Sequence, residues 1–174
     1  MGRYTGTVNQ RNQQMKKNAK KKPAQSGQSL VEFALALTLM LTLVAGAVDL
    51  GSAFFAYIAL RDAAQEGALY GSIAAVVEDP NGTMGVYDAG EPLNTAAIIN
   101  RVRQSSDQPV DLTDVTNVTV AVSATNPPCA GGGITVTVAY NYQITMPFIG
   151  AIIGSQTIPV RASVTNTILK PACP

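Results

Sequence analysis

The sequence predicts an α+β protein, in which a long N-terminal membrane and filament helix is followed by a short helix and a three-stranded antiparallel meander packed on the helix. Three observations predict this fold class. Sixteen residues, 33–48, carry no charge, no proline interrupts residues 28–77, and three later segments alternate apolar and polar residues. Alternation with period two is typical of strands, whereas a long proline-free stretch of helix-forming residues favours a helix.

The chain begins with a basic, hydrophilic leader, residues 1–27. Seven of the 12 basic residues, and none of the 11 acidic residues, precede Gly27. Because the leader lacks an apolar period, we expect it to be disordered. Basic residues beside an apolar helix stay on the cytoplasmic side, so the sequence predicts an N-in, C-out orientation. Nucleic acid is disfavoured as a partner, since Tyr4 is the only aromatic residue of the leader.

One long helix is predicted over residues 28–77. These 50 residues would span about 75 Å, far more than the thickness of a bilayer. We therefore expect the first half to cross the membrane and the second half to project outward. The outer half carries an apolar stripe that needs a partner. The stripe comprises Phe54, Ile58, Arg61, Gln65, Leu69 and Ile73.

Small residues recur along the same helix. Such residues let helices approach closely, although the pattern also arises in any helix rich in alanine and glycine. The candidate packing positions are Gly46, Ala47, Gly51, Gly67 and Gly71.

Residues 78–93 are predicted to form a loop, and residues 94–174 a small extracytoplasmic α+β domain. Asn94 is suited to cap a short helix that ends near Ser105. Three strands follow, with apolar residues on one face, over residues 118–123, 134–142 and 158–165. Pro159 lacks an amide donor, which favours an edge position for the last strand. The apolar connection 146–154 is either core under a loop or an interface.

Cys129 and Cys173 both fall in the part of the chain that is predicted to be exported. An oxidising compartment permits a disulfide between them, and with two cysteines there is one possible intrachain pairing. The alternative is a pair of free thiols.

Residues that could support catalysis are scarce in this sequence. The chain has no histidine, the most common general base and metal ligand. Neither cysteine has a partner at metal-ligand spacing, and no phosphate-binding glycine loop is present. We therefore expect no enzyme activity, no cofactor and no metal site. Acidic residues such as Asp107, Asp111 and Asp114 are better explained as solvated loop charges than as calcium ligands.

Glu32 is the informative charge, because it stands just before the charge-free run. A carboxylate inside a bilayer is costly and is by default a functional candidate. If the chain were cut after Gly27, the new amine at Gln28 would lie one helical turn from Glu32. The amine of one subunit would then neutralise Glu32 of another. The alternative is an interfacial glutamate without a role.

The segment from Gly27 to Phe33, Gly-Gln-Ser-Leu-Val-Glu-Phe, follows a lysine-rich leader and precedes an apolar helix. It resembles the class III signal of type IV prepilins, which a membrane aspartic peptidase cuts after the glycine. Together with Asp49-Leu-Gly51 and residues 61–68, and with a tail that runs from Tyr140 to Ile168, it is similar to the TadE-like pseudopilins of tight-adherence pili. The resemblance covers most of residues 27–168 and is strongest over residues 27–71.

The resemblance implies specific roles and partners. Gly27 would precede the cut and Gln28 would be the new N-terminus. Glu32 would be the acid needed for processing or for subunit recruitment, and Glu32 with Phe33 would act in assembly. The implied partners are the prepilin peptidase, other pilin subunits, the inner-membrane assembly platform and membrane lipid. The expected function is a structural or accessory subunit of an extracellular type IV or Tad-type pilus, held in the plasma membrane by a single pass before assembly. The alternative is an uncleaved, membrane-anchored adhesin or binding module.

Overall fold

The structure is a computed structural model that describes residues 27–82, 84–106, 108–146, 150 and 154–174. The chain divides into two units, one ending at Val44 and one running from Ala45 to Pro174. The predicted disorder of the leader, apart from Gly27, concerns residues that lie outside the described ones. Most of the apolar connection 146–154 lies outside them as well.

Helix α1 runs from Gln28 to Ile73 and comprises 46 residues. It ends four residues before the predicted end at residue 77. The chain beyond Ile73 pairs with the segment before the next helix: Val77 N–H donates to Pro92 O at 3.0 Å, and Asn94 N–H donates to Ala75 O at 2.8 Å. This extended pairing satisfies the backbone of a valine-containing stretch, and valine favours strands over helices.

Helix α2 runs from Thr95 to Arg103. Asn94 occupies the N-cap position, as predicted, but its side chain makes no capping hydrogen bond. Ile98 and Val102 are completely buried, and they lie on one face of the helix because they are four residues apart. This face attaches α2 to the core.

The sheet has three strands, β1 (Val118–Ala124), β2 (Gly133–Gln143) and β3 (Thr157–Thr167). They pair antiparallel in the order β1-β2-β3, and one face carries the buried residues. The predicted α+β fold class, with a meander packed on the long helix, is confirmed.

The edge position of Pro159 follows from the hydrogen-bond pattern. Pro159 lies opposite Asn141 of β2. The Asn141 amide donates to Asn117 O at 3.1 Å, on the side of β1. Because backbone groups of an antiparallel strand point alternately to the two neighbours, the Pro159 nitrogen points away from β2. The missing N–H group of Pro159 therefore removes no hydrogen bond between β2 and β3.

The core lies between the sheet, α2 and one face of α1. That face is made of small residues and one leucine rather than of bulky side chains. Its buried apolar members are Ala56, Leu60, Ala63, Ala64, Gly67, Ala68 and Gly71, and Asp49 is also buried on this face. The apolar stripe predicted from Phe54 to Ile73 is on the opposite face and stays exposed. The sheet therefore does not cover that stripe.

Gly67 and Gly71 explain why the face of α1 that is made of small residues, here called the small face, packs against the sheet and α2. A Cβ added at Gly67 would collide with a methyl group of Val102, and one added at Gly71 would lie 2.6 Å from Cδ1 of Ile134. The branched side chains of α2 and β2 thus occupy the space above the glycines. Small residues on one surface and branched residues on the other produce dense packing.

Replacing Gly67 by alanine is expected to destabilise the protein by up to about 2 kcal/mol. Overpacking a core costs roughly 1–3 kcal/mol, against a gain of about 1 kcal/mol in helix propensity. Gly51 is the matched control, because a Cβ there meets nothing within 4 Å. Chemical unfolding of the full-length chain in detergent should show Gly67→Ala losing stability and Gly51→Ala gaining a little. Equal effects of the two substitutions would contradict the packing described here.

Candidate functional site

The peptide bond between Gly27 and Gln28 lies at the start of helix α1. Gly27 is an exposed turn residue, and α1 begins at Gln28. The Gly27 carbonyl accepts a hydrogen bond from Val31 N–H at 3.3 Å. Such a bond contributes only about 0.5–1.5 kcal/mol. The Gly27–Gln28 bond is therefore accessible, and opening the first turn around it costs little.

Glu32 lies in the second turn of α1 and is exposed. Nε2 of Gln28 donates to Oε1 of Glu32 at 3.1 Å. In the uncut chain the carboxylate thus already contacts the residue that would become the new N-terminus. Phe33, the next residue, is 67% exposed. Both predicted assembly residues are available to other molecules.

The charge-free run is exposed except at the half-buried Gly46, and none of the most apolar 18-residue window of α1 is buried. In the described part of the chain, α1 is the one helix that is long and apolar enough to cross a membrane. The two threonine hydroxyl groups of the charge-free run form hydrogen bonds within the helix. Thr38 Oγ1 donates to Ala34 O at 2.8 Å, and Thr42 Oγ1 donates to Thr38 O at 2.8 Å. Since lipid offers no hydrogen-bond partner, this internal pairing suits a membrane environment.

The four glycines predicted to pack helices fall into two classes. Gly67 and Gly71 contact α2 and β2 of the same chain. Gly46 lies near the Met146 sulfur, at 4.0 Å from an added Cβ, whereas Gly51 has open space around it. In the outer half of α1, the small residues therefore pack against other elements of the same chain.

Asp49 is a residue whose contacts the sequence did not reveal. It is only 8% exposed, and its Oδ2 accepts a hydrogen bond from Met146 N–H at 3.0 Å. The Tyr142 hydroxyl donates to the Asp49 backbone carbonyl at 3.3 Å. Asp49 thus fixes the end of β2 to α1. Its spacing from Ala56 and Leu60, 7 and 11 residues on, is the sequence signal that places it on the buried face.

Cys129 and Cys173 are joined by a disulfide, with their Cα atoms 5.1 Å apart. The chain around Cys173 also hydrogen-bonds to three other regions of the domain. Leu169 N–H donates to Ser72 O at the end of α1, Ala130 N–H donates to Pro171 O, and Ala172 N–H donates to Gly85 O. The disulfide therefore holds a C-terminal segment that connects the helix end, the loop and the sheet.

The acidic loop residues serve local turns. The hydroxyl and amide of Thr113 donate to Asp111 at 2.6 and 2.9 Å, and Thr116 and Asn117 donate to Asp114 at 2.9 and 2.8 Å. Within the described residues no group of three or more histidine, cysteine, aspartate or glutamate side chains is placed to hold a metal ion. Asp107 lies outside the described residues.

These hydrogen bonds lower the pKa of both carboxyl groups below the ordinary value of 3.8, with the donors from Thr113 as the main cause at Asp111 and the Asn117 amide at Asp114. The folded chain then binds fewer protons than the unfolded chain below about pH 4, so stability falls as the pH drops through the folded pKa. A carboxyl NMR titration should place the Asp111 midpoint below 3.8. In Thr113→Ala it should rise toward 3.8, and an unchanged midpoint would contradict the assigned cause.

A groove of about 1120 Å³ runs beside α1, between that helix, the segment after α2, and β2. Ala56, Ala59 and Ala63 lie on the helix side, and Tyr140 and Tyr142 lie on the sheet side. An ion pair between Arg101 and Glu66 joins the two helices at the groove. About half of the residues that line the groove are polar or charged, among them Ser52, Asp62 and Gln104, so the groove is more polar than a typical small-molecule site.

Residues 27–69 match the family model of TadE-like proteins. The TadE-like segment covers 43 of 174 residues and includes Gly27, Gln28, Glu32 and the whole charge-free run. The similarity to TadE-like proteins that the motifs indicate is confirmed over this segment. The match ends before the tail from Tyr140 to Ile168. No curated protein and no solved structure matches the chain.

Proposed function

We propose that this protein is a structural or accessory subunit of an extracellular Tad-type pilus. It is inserted in the plasma membrane with the N-terminus inside, cut after Gly27, and assembled through α1. One observation carries the proposal: the TadE-like segment coincides with a helix whose charge-free run is exposed. Such a surface needs lipid before assembly and other helices afterwards.

Processing by a prepilin peptidase is supported by the location of the Gly27–Gln28 bond at an exposed helix start. The basic leader keeps this bond at the cytoplasmic face of the membrane, where such a peptidase acts on the proposed pathway. Removal of the leader also removes seven positive charges. The remaining helix then leaves the membrane more easily, because no cluster of charges has to cross it.

Glu32 is the proposed recruitment residue. A carboxylate within apolar surroundings costs roughly 2.5–3.5 kcal/mol at the centre of a membrane helix. A positive group of another subunit, such as a newly formed N-terminal amine, lowers this cost and so favours a defined contact. The partners in this scheme are the peptidase, other pilin subunits and an inner-membrane assembly platform. The proposal assigns no catalytic role, no cofactor and no metal to the chain.

N-terminal sequencing and intact mass measurement of protein from membranes and from sheared fibres test the processing step. We expect Gln28 as the first residue in both the processed membrane fraction and the fibres. The control is the same analysis in cells without prepilin peptidase activity, where Met1 should remain. A fibre-associated chain that retains Met1–Gly27 would overturn the proposal.

Glu32→Ala should lower the amount of this protein in sheared fibres at least tenfold, because the recruitment charge is lost. Ten-fold corresponds to about 1.4 kcal/mol of lost contact energy. Glu78→Ala is the matched control, since Glu78 is an exposed loop residue after α1. Immunoblots of fibre and membrane fractions give the ratio. Equal fibre yields from the two variants would remove Glu32 from the assembly step.

The groove beside α1 favours a second candidate function, an uncleaved membrane anchor that displays a binding domain. Its volume of about 1120 Å³ is sufficient for a ligand, since ligand pockets commonly enclose roughly 300–1,000 Å³. The N-terminal analysis separates the two candidates. An anchor keeps its leader and stays in the membrane fraction, whereas a pilus subunit loses the leader and enters the fibre fraction.

A further inference from the structure

Among the residues that the structure describes, no strand or helix covers the outer stripe of α1. We define the outer stripe as the exposed residues Phe54, Ile58, Arg61, Gln65, Leu69 and Ile73. Phe54, Leu69 and Ile73 are 60%, 57% and 56% exposed. The opposite face of the same helix segment is filled by the sheet and α2. The domain therefore uses the small face of α1 for its own core and presents the large apolar side chains outward.

Two opposite charges border the apolar residues of the outer stripe: Arg61, which belongs to the stripe, and Asp62, which lies beside it. Successive residues of a helix are about 100° apart, so Arg61 and Asp62 lie on the two sides of the line through Ile58 and Leu69. In the described part of the chain neither Arg61 nor Asp62 forms an ion pair or a side-chain hydrogen bond. They cannot pair with each other across the stripe, because adjacent helix residues do not face one another.

This arrangement is self-complementary. When two parallel helices pack face to face, one flank of each helix meets the opposite flank of the other, as in the charged flanking positions of coiled coils. Arg61 of one copy then comes next to Asp62 of the second copy at almost the same height along the axis. The apolar side chains Phe54, Ile58 and Leu69 are covered between the two pairs.

We propose that the outer stripe binds the outer stripe of a second copy in parallel orientation, with Arg61 of each copy paired to Asp62 of its neighbour. The inference rests on the proposed function, because parallel copies with outward-projecting helices are what a pilus places side by side. It adds a contact beyond the charge-free run and names the residues that set its orientation. Complementary charge fixes register and partner more than it adds raw affinity.

Lipid is a poorer occupant of this surface than a second copy. Arg61 and Asp62 follow Asp49 by 12 and 13 residues, which places them roughly 18–20 Å beyond the end of the charge-free run. Sixteen residues span about 24 Å of a hydrocarbon core of roughly 30 Å. Both charges lie outside the core even where it extends a few residues past the run. Gln65 in the middle of the stripe also favours a protein surface, where an amide finds hydrogen-bond partners.

Charge reversal and charge exchange test the pairing. Arg61→Glu and Asp62→Lys each place like charges opposite one another at every contact between copies. Each substitution is expected to lower the fibre-associated fraction at least tenfold. The exchange variant, Arg61→Asp together with Asp62→Arg, restores opposite charges on the two flanks and should recover to within about threefold of the unaltered chain. Arg161→Glu, on the exposed face of β3, is the matched control and should leave the fraction unchanged.

The readouts separate this inference from the proposed function. Processing at Gln28 and the presence of the unaltered chain in fibres concern the function alone. Membrane levels and an intact disulfide, checked by non-reducing gels, show that each variant folds. If the unaltered chain enters fibres while both reversals do so equally well, the pairing is wrong. If both reversals fail and the exchange variant also fails, the stripe binds a different protein or lipid, and the inference is overturned.

Discussion

Removing the disulfide should lower the free energy of unfolding by about 4 kcal/mol. The cysteines are 44 residues apart, and closing a loop of this length in the unfolded chain costs roughly this much conformational entropy. Cys129→Ala combined with Cys173→Ser is the suitable variant, because Cys129 is 3% exposed and Cys173 is exposed. Serine at the buried position would add the cost of burying a hydroxyl group.

The measurement is chemical unfolding of the full-length chain in detergent, with and without reductant. The reduced, unaltered chain is the control and should lose nearly the same stability as the double variant. Amide hydrogen exchange should speed up first at Leu169 and Ala172, whose backbone bonds hold the C-terminal segment to Ser72 and Gly85. A loss of less than about 1 kcal/mol would show that these backbone bonds, rather than the disulfide, fix the segment.

Asp49→Ala is expected to cost about 1.5–3 kcal/mol, the usual contribution of a hydrogen bond to a charged group. The substitution leaves the Met146 amide without its acceptor at a site where Asp49 is only 8% exposed. The local consequence is a looser attachment of the end of β2 to α1. Hydrogen exchange at Met146 should accelerate at least tenfold, which corresponds to about 1.4 kcal/mol.

Asp49→Asn is the matched control, because an amide oxygen can accept the same hydrogen bond without a charge. We expect it to retain most of the stability and most of the protection at Met146. If alanine and asparagine behave alike and both leave the exchange rate unchanged, Asp49 does not attach the sheet to the helix. If both accelerate exchange equally, the charge rather than the hydrogen bond is what matters.

The strands and the long helix were predictable because their side-chain patterns are local. Period-two alternation identifies the residues around Val136 and Val138 as a strand with one covered face, and both are completely buried. The end of α1 was not predictable to the residue, since Val76 pairs with Leu93 across the loop. Propensity alone does not reveal such a partner.

The residues of the candidate site also fall into two classes, those that local sequence reveals and those whose contacts depend on the tertiary structure. Gly27, Gln28 and Glu32 stand out in the sequence because a glycine, a glutamine and one acid precede a charge-free run. Asp49 also carries a visible charge, yet its contact with Met146 joins residues 97 positions apart. A contact of that separation depends on how the sheet docks on the helix.

By itself the sequence determined the helix, the strand pattern, the exposed charge-free run and the acid next to a potential cut, because each depends on neighbouring residues in the chain. Only the tertiary structure decided which face of α1 is used inside the domain and which stays available. The branched side chains of Val102 and Ile134 need the space above Gly67 and Gly71. Steric fit between distant segments therefore turned the small face inward and left Phe54, Ile58 and Leu69 exposed.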